Sequence, residues 1–214
     1  MAKKNKGLTR SEIIKLTKLS SGGGLTTMLQ ELIYCGFITQ ILSINKTKED
    51  TLYRLMDEYS IFYLKFIEGK VGKNDWVKID NSITYKTWCG YAFENLCLRH
   101  VENIKNSLGI SAVLTSDYSW QLKGTINNKG AQIDLVIDRN DNCINLCEAK
   151  FYDTEYELTK VYTDQLQHKK AQFLTSTKTK KNIFTTLITA NGAVINKYYD
   201  SIITNQIKIE DLFN

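Results

Sequence analysis

The stretch that decides the fold is GAQIDLVIDRNDNCINLCEAKFYD, residues 130–153. It reads as two apolar strands joined by the polar turn Asp138-Arg139-Asn140-Asp141. Asp134 interrupts the first strand, and Glu148 with Lys150 interrupts the second. Unpaired charge is costly to bury, so these strand ends either reach solvent or carry chemistry. Alternate strand residues share a face. Gln132, Asp134 and Val136 therefore point one way, and Ile144, Leu146, Glu148 and Lys150 share a face of the second strand. That second face is apolar before it turns charged, as expected for a strand emerging from a core into a polar site.

If Asp134 and Glu148 converge, they repel. Two charges about 4 Å apart at an effective dielectric near 20 interact with roughly 4 kcal/mol. Repulsion of that size raises a carboxylate pKa or invites a cation. Mg²⁺ is commonly held by one or two carboxylates plus water. Lys150, two residues along the same face, is placed to orient an attacking water and stabilise charge on a phosphate. The set fits metal-dependent phosphodiester hydrolysis. The plain alternative is a salt bridge between Lys150 and an acidic neighbour at a solvent-facing strand end.

Before this stretch, GYAFENLCLRHVENI (90–104) has the spacing of a helix, with Phe93, Leu96, Cys97, Val101 and Ile104 as its core stripe and Glu94 on the shoulder. SAVLTSDYSWQLK (111–123) reads as a further strand. After it come a helical segment at about 157–175, the strand NIFTTLIT (182–189), and a turn at Asn191-Gly192 into AVINKYY. The predicted class is α/β (α+β), a mixed sheet with helices on it. Between Thr159 and Lys181, six lysines (160, 169, 170, 178, 180 and 181) face the single acid Asp164. Charge runs usually mark a solvated face, but cations at this position would also hold a nucleic-acid backbone by counterion release.

The N-terminal part forms a unit of its own. Thr9-Arg10-Ser11-Glu12 has the capping-box pattern of a helix start, followed by Ile13, Ile14, Leu16 and Leu19 as the apolar face. SSGGG breaks that helix. Leu25, Met28, Leu29, Leu32 and Ile33 mark a second one, with Gly36 as its stop. FITQILSI and TLYRL read as strands around NKTKED, which completes the layout of a winged helix. Its second helix carries no Lys or Arg, which favours protein contact or spacing over base readout. Tyr59, Phe62, Tyr63, Phe66 and Ile67 then form an aromatic helical face suited to packing. The polar KVGKND (70–75) marks a boundary, giving expected domains of 1–72 and 73–214.

The 214 residues carry 28 Lys and Arg against 23 Asp and Glu, a net charge of +5 that permits a polyanion partner without demanding one. No apolar run approaches the roughly 20 residues of a membrane span, and MAKKNKGLTR lacks the core of a secretory signal. With five cysteines and no Cys-x-x-Cys pair, free buried thiols in a reducing cytoplasm are expected. The chain contains no proline, for which we have no physical account.

Asp134, followed after thirteen residues by Glu148-Ala149-Lys150, with Glu94 on the preceding helix, resembles the core of the PD-(D/E)XK nuclease superfamily. The resemblance implies a restriction-endonuclease-like fold. It also implies metal binding (Mg²⁺ or Mn²⁺) by Asp134, Glu148 and Glu94, and assistance to the nucleophilic water by Lys150. Gln165 and Lys169, on the following helix, are further candidates implied by the superfamily; with Lys170 they are expected to contact DNA. GLTRSEI, SSGGGLTTMLQEL, YRLMDEYSIFYLKFI, GYAFENLC, AQIDLVIDR and CEAKF together resemble the C-terminal half of a prokaryotic AAA+-type ATPase family, in which a winged helix precedes such a domain. SSGGGLTT lacks the phosphate-binding lysine of a G-x-x-x-x-G-K-[ST] loop, so ATP is not an expected cofactor and the chain is expected to be a fragment or a stand-alone relative. The expected function is metal-dependent DNA hydrolysis. The alternatives are a non-catalytic regulatory or docking module of an ATPase, contacting protein through the winged helix, and a DNA-binding regulator.

Overall fold

The computed structural model describes residues 7–41, 51–68, 79–80, 82–124 and 129–213. It is a mixed α/β protein of two compact units, Met1–Asn95 and Leu96–Asn214. The expected boundary at 70–75 and the turn NKTKED lie outside the described residues.

In the first unit, β1 (Leu8–Thr9), β2 (Ile38–Ile41) and β3 (Leu52–Leu55) form an antiparallel sheet in the order β1-β3-β2. Helices α1 (Arg10–Thr17) and α2 (Gly23–Tyr34) lie between β1 and β2 in sequence. The capping box forms as the sequence predicts: Thr9 Oγ1 accepts from the Glu12 amide at 3.2 Å, and Glu12 Oε2 accepts from the Thr9 amide at 2.9 Å. Leu8, Ile13, Leu25, Leu29 and Ile38 make the core. The expected apolar face of α1 is narrower than its sequence suggests. Leu16 is exposed within the helix, and Leu19 is exposed beyond its end, where Lys18 takes a left-handed turn (φ 59°) after only eight helical residues. Gly7 is required where it stands, at φ +88°, since a Cβ there would sit 2.9 Å from the Tyr53 carbonyl oxygen.

The aromatic segment forms α3 (Glu58–Phe62) and continues as a π-helical turn, Tyr63–Ile67. Phe62 and Phe66 pack on Trp88 with ring centroids 5.0 and 6.3 Å apart, whereas Tyr59 and Tyr63 are exposed. Of the expected packing face, Phe66 is therefore buried and Phe62 and Ile67 are half-buried. Helix α4 spans Ile83–Arg99, so the division between units falls within it.

The second unit is built on a five-stranded sheet in the order β10-β8-β6-β5-β4. After α5 (Val101–Ser107), β4 (Thr115–Leu122), β5 (Ala131–Arg139) and β6 (Cys143–Lys150) run as an antiparallel meander. Asn142, at φ 65°, takes the left-handed position that lets a three-residue loop close the β5–β6 hairpin. Helix α6 (Lys160–Thr177) then crosses over to β8 (Asn182–Thr189), which pairs parallel with β6. Phe173 of α6 is fully buried in the cluster of Val136, Ile144 and Leu146, with its ring 5.4 Å from that of Trp120. Burying an aromatic ring of this size is worth roughly 2–3 kcal/mol, and it ties α6 to the sheet face that also carries Glu148.

Past β8 the chain bends at Asn191, where the sequence places a turn. There β9 (Ala193–Val194) pairs parallel with β7 (Tyr156–Glu157), and α7 (Lys197–Asp200) follows. The sheet edge is β10 (Asn205–Lys208), parallel to β8 and too short to show a period in the sequence. All five cysteines are free; Cys97 and Cys147 are buried, but Cys35 is exposed. No described helix is long and apolar enough to cross a membrane.

Candidate functional site

The β5–β6 register pairs Val136 with Leu146 and Leu135 with Cys147. Just before it β5 bulges against β4, where the pairing shifts from Tyr118–Val136 to Trp120–Ile133 and leaves Asp134 and Leu135 against Ser119. From the bulge Asp134 reaches β6, its Oδ2 accepting the Ala149 amide at 3.1 Å. Glu148 is buried, with 2% of its surface exposed.

Helix α6 supplies the partners of that carboxylate. Lys169 Nζ stands 2.6 Å from both Glu148 oxygens, and the Tyr162 hydroxyl donates to Oε2 at 3.3 Å. Residues 162 and 169 are two helical turns apart and so lie on one side of α6. Burial, and next the charge of Asp134, push the Glu148 carboxyl up to about 7, against the pull of Lys169 and Lys150. Burial and the Glu148 charge raise the Tyr162 hydroxyl well above its ordinary value, so it stays a neutral donor. Lys150, two residues beyond Glu148, lies with its ammonium 5.0 Å from the centre of the Tyr162 ring. Its strand partner in the β6–β8 register is Thr189. Thr189 Oγ1 and, on α6, Thr163 Oγ1 are buried without a hydrogen-bond partner.

Beside this cluster lies a cleft of about 570 Å³. One wall is Lys129, Gly130, Ala131 and Gln132 at the start of β5; the other is Val161, Asp164, Gln165, His168 and Lys169 of α6. The walls are braced by His168, whose Nε2 lies 3.1 Å from the Lys129 carbonyl oxygen. Gly130 fits the first wall because a Cβ there would stand 2.7 Å from the Gly124 nitrogen. Lys169 belongs to both the cleft and the carboxylate cluster.

The structure thus brings together Asp134, Glu148, Lys150 and Lys169, with Gln165 on the adjoining cleft wall. Lys170 is half-buried and does not line the cleft. Glu94 belongs to the first unit, where its carboxylate accepts from Arg54 Nη2 at 3.3 Å. Sequence reasoning passed over Tyr162 and the pairing of Lys169 with Glu148. The signal was the seven-residue spacing of Tyr162 and Lys169 on one side of a helix that follows a strand ending in Glu-x-Lys.

Among the described residues, no three His, Cys, Asp or Glu side chains gather as a dedicated metal cage would. Asp134 and Glu148 are carboxylates of the kind Mg²⁺ takes, since that ion usually relies on one or two of them together with water and phosphate oxygens. No protein-family model, curated protein or solved structure matches this chain significantly.

Proposed function

We propose that the second unit is a PD-(D/E)XK-type domain that hydrolyses DNA phosphodiester bonds with Mg²⁺ or Mn²⁺. The carrying observation is Asp134 on β5 beside the buried Glu148 of β6, its Oδ2 accepting the Ala149 amide at 3.1 Å, with Lys150 two residues beyond Glu148 on the same strand. The antiparallel meander followed by a parallel crossover supports the restriction-endonuclease-like assignment, and three antiparallel strands with two helices support a winged helix in the first unit. The proposal extends to the C-terminal half of an AAA+-type protein, and Glu94 enters only as the superfamily's helix glutamate.

Asp134 and Glu148 would hold the ion, which when bound supplies Lewis-acid stabilisation of charge on a phosphate. Lys150 would donate a hydrogen bond to the attacking water and orient it toward phosphorus. Water oxygen would bond to phosphorus and give up a proton to solvent, the bond from phosphorus to the leaving ester oxygen would break, and that oxygen would take up a proton from solvent. Lys169 must leave Glu148 for both carboxylates to act together.

Lys150→Ala is expected to abolish cleavage of DNA while metal binding measured by calorimetry persists, whereas Asp134→Ala is expected to remove both. Equal cleavage by the wild type and both variants would point to a contaminating nuclease. Absence of cleavage in all three would favour a second reading, a non-catalytic docking module. That reading has its own support, since Lys169 already occupies both oxygens of Glu148.

A further inference from the structure

We propose that the cleft between the start of β5 and α6 is a binding site for one unpaired nucleotide of a DNA strand. Its volume, about 570 Å³, lies in the range of small-ligand sites, roughly 300–1,000 Å³. Its lining suits a nucleotide in three respects. Lys129 and Lys169 bring cations for a phosphate, with Asp164 the single acid on the walls. Gln132 and Gln165 stand on opposite walls, each with an amide donor and acceptor able to meet a base edge. Ala131 and Val161 add apolar surface for sugar and base.

A paired base hides its Watson–Crick edge and stays within its stack, so a cleft of this size selects a nucleotide that is single-stranded, frayed or turned out of a duplex. The choice of DNA as the strand rests on the nuclease reading; the nucleotide site itself does not. Lys169 joins the two sites. A phosphate entering the cleft draws the Lys169 ammonium off Glu148, so occupancy of the cleft prepares the carboxylates for a cation.

The test uses the full chain in EDTA, with a labelled oligo(dT) of about eight nucleotides followed by fluorescence anisotropy. The single strand is expected to bind at least about tenfold more tightly than a blunt duplex of the same length. Thymidine monophosphate is expected to compete at concentrations where inorganic phosphate does not. Gln165→Ala combined with Lys129→Ala is expected to weaken binding about tenfold or more, and Val161→Trp, which fills the cleft from an exposed position, to weaken it similarly. Equal binding of duplex, competition by phosphate as strong as by the nucleotide, or unchanged affinity in these variants would each overturn the proposal. Because the metal is chelated throughout, a protein that never cleaves still gives a clear result, which separates failure of the cleft from failure of the nuclease reading.

Discussion

The strand pair β5–β6 carries an acid–lysine contact toward each end, and the two differ in everything except distance. Near the hairpin, Lys181 Nζ lies 2.6 Å from Asp138 Oδ1, with both side chains about one-third exposed (30% and 31%). Near the cleft, Lys169 Nζ lies 2.6 Å from Glu148 Oε2, but the glutamate side chain is only 3% exposed. The first contact is bathed in solvent and screened by it. In the second, burial outweighs the attraction, so Glu148 is pushed up to about 7 with a lysine against it. Bond length alone therefore says little about an ion pair; what water can reach decides whether the pair is a surface clasp or one whose acid is strongly perturbed.

The largest expected effect comes from leaving the buried acid alone. Lys169→Met should destabilise the fold by about 3–5 kcal/mol at pH 8, the usual cost of stranding one member of a buried pair. The loss should shrink at pH 5, where Glu148 can take up a proton. Denaturant melts at both pH values check this, and a pH-independent loss would mean that Lys169 acts only by packing.

The next effect concerns Glu148 itself, whose folded value of about 7 stands above the ordinary 4.5. Below pH 4.5 the group is protonated in both folded and unfolded chains and contributes nothing. Between 4.5 and 7 the folded chain binds more protons, so this group removes stability as pH rises, with the full penalty present above 7. The penalty is roughly 3 kcal/mol at most. Glu148→Gln should therefore gain stability relative to wild type on going from pH 5 to pH 8. A difference that stays constant with pH would show that burial does not perturb this carboxyl.

The smallest expected effect is at the other end of the strands. Lys181→Met should cost less than about 1 kcal/mol, with a dependence on salt. A larger cost would erase the contrast between the two pairs, and would point to the second hydrogen bond of Lys181, to the Arg139 carbonyl oxygen at 2.6 Å.

Those contrasts also mark what the sequence could show. The alternation through Ile144, Leu146 and Glu148 is a period-two signal within a few residues, whereas the one read through Gln132, Asp134 and Val136 is broken by a bulge: the β4 pairing shifts between Trp120–Ile133 and Tyr118–Val136, and Ile133 and Val136 share one core cluster. The Thr9–Glu12 box was equally legible, being wholly local. Lys169 as the partner of Glu148 was not, because the contact spans 21 residues and depends on how α6 lies across the sheet. The strand β10 was hidden by its length of four residues. Asn191-Gly192 correctly marked a local bend, but the parallel pairing of the strand after it with β7 is chosen by tertiary packing. Leu16 and Leu19 misled: helical spacing marks a face, but burial of that face depends on what packs against it.

The grip of Lys169 on Glu148 has one more consequence. Its ammonium is tethered to the carboxylate by the same chain, so it competes for that position at an effective concentration that dilution cannot lower. Under the proposed metal binding, an incoming ion would face this resident rival as well as the hydration shell it must shed. Apparent metal affinity would then be an exchange constant, and the protein would keep its charge balance, and its fold, in solutions stripped of divalent ions.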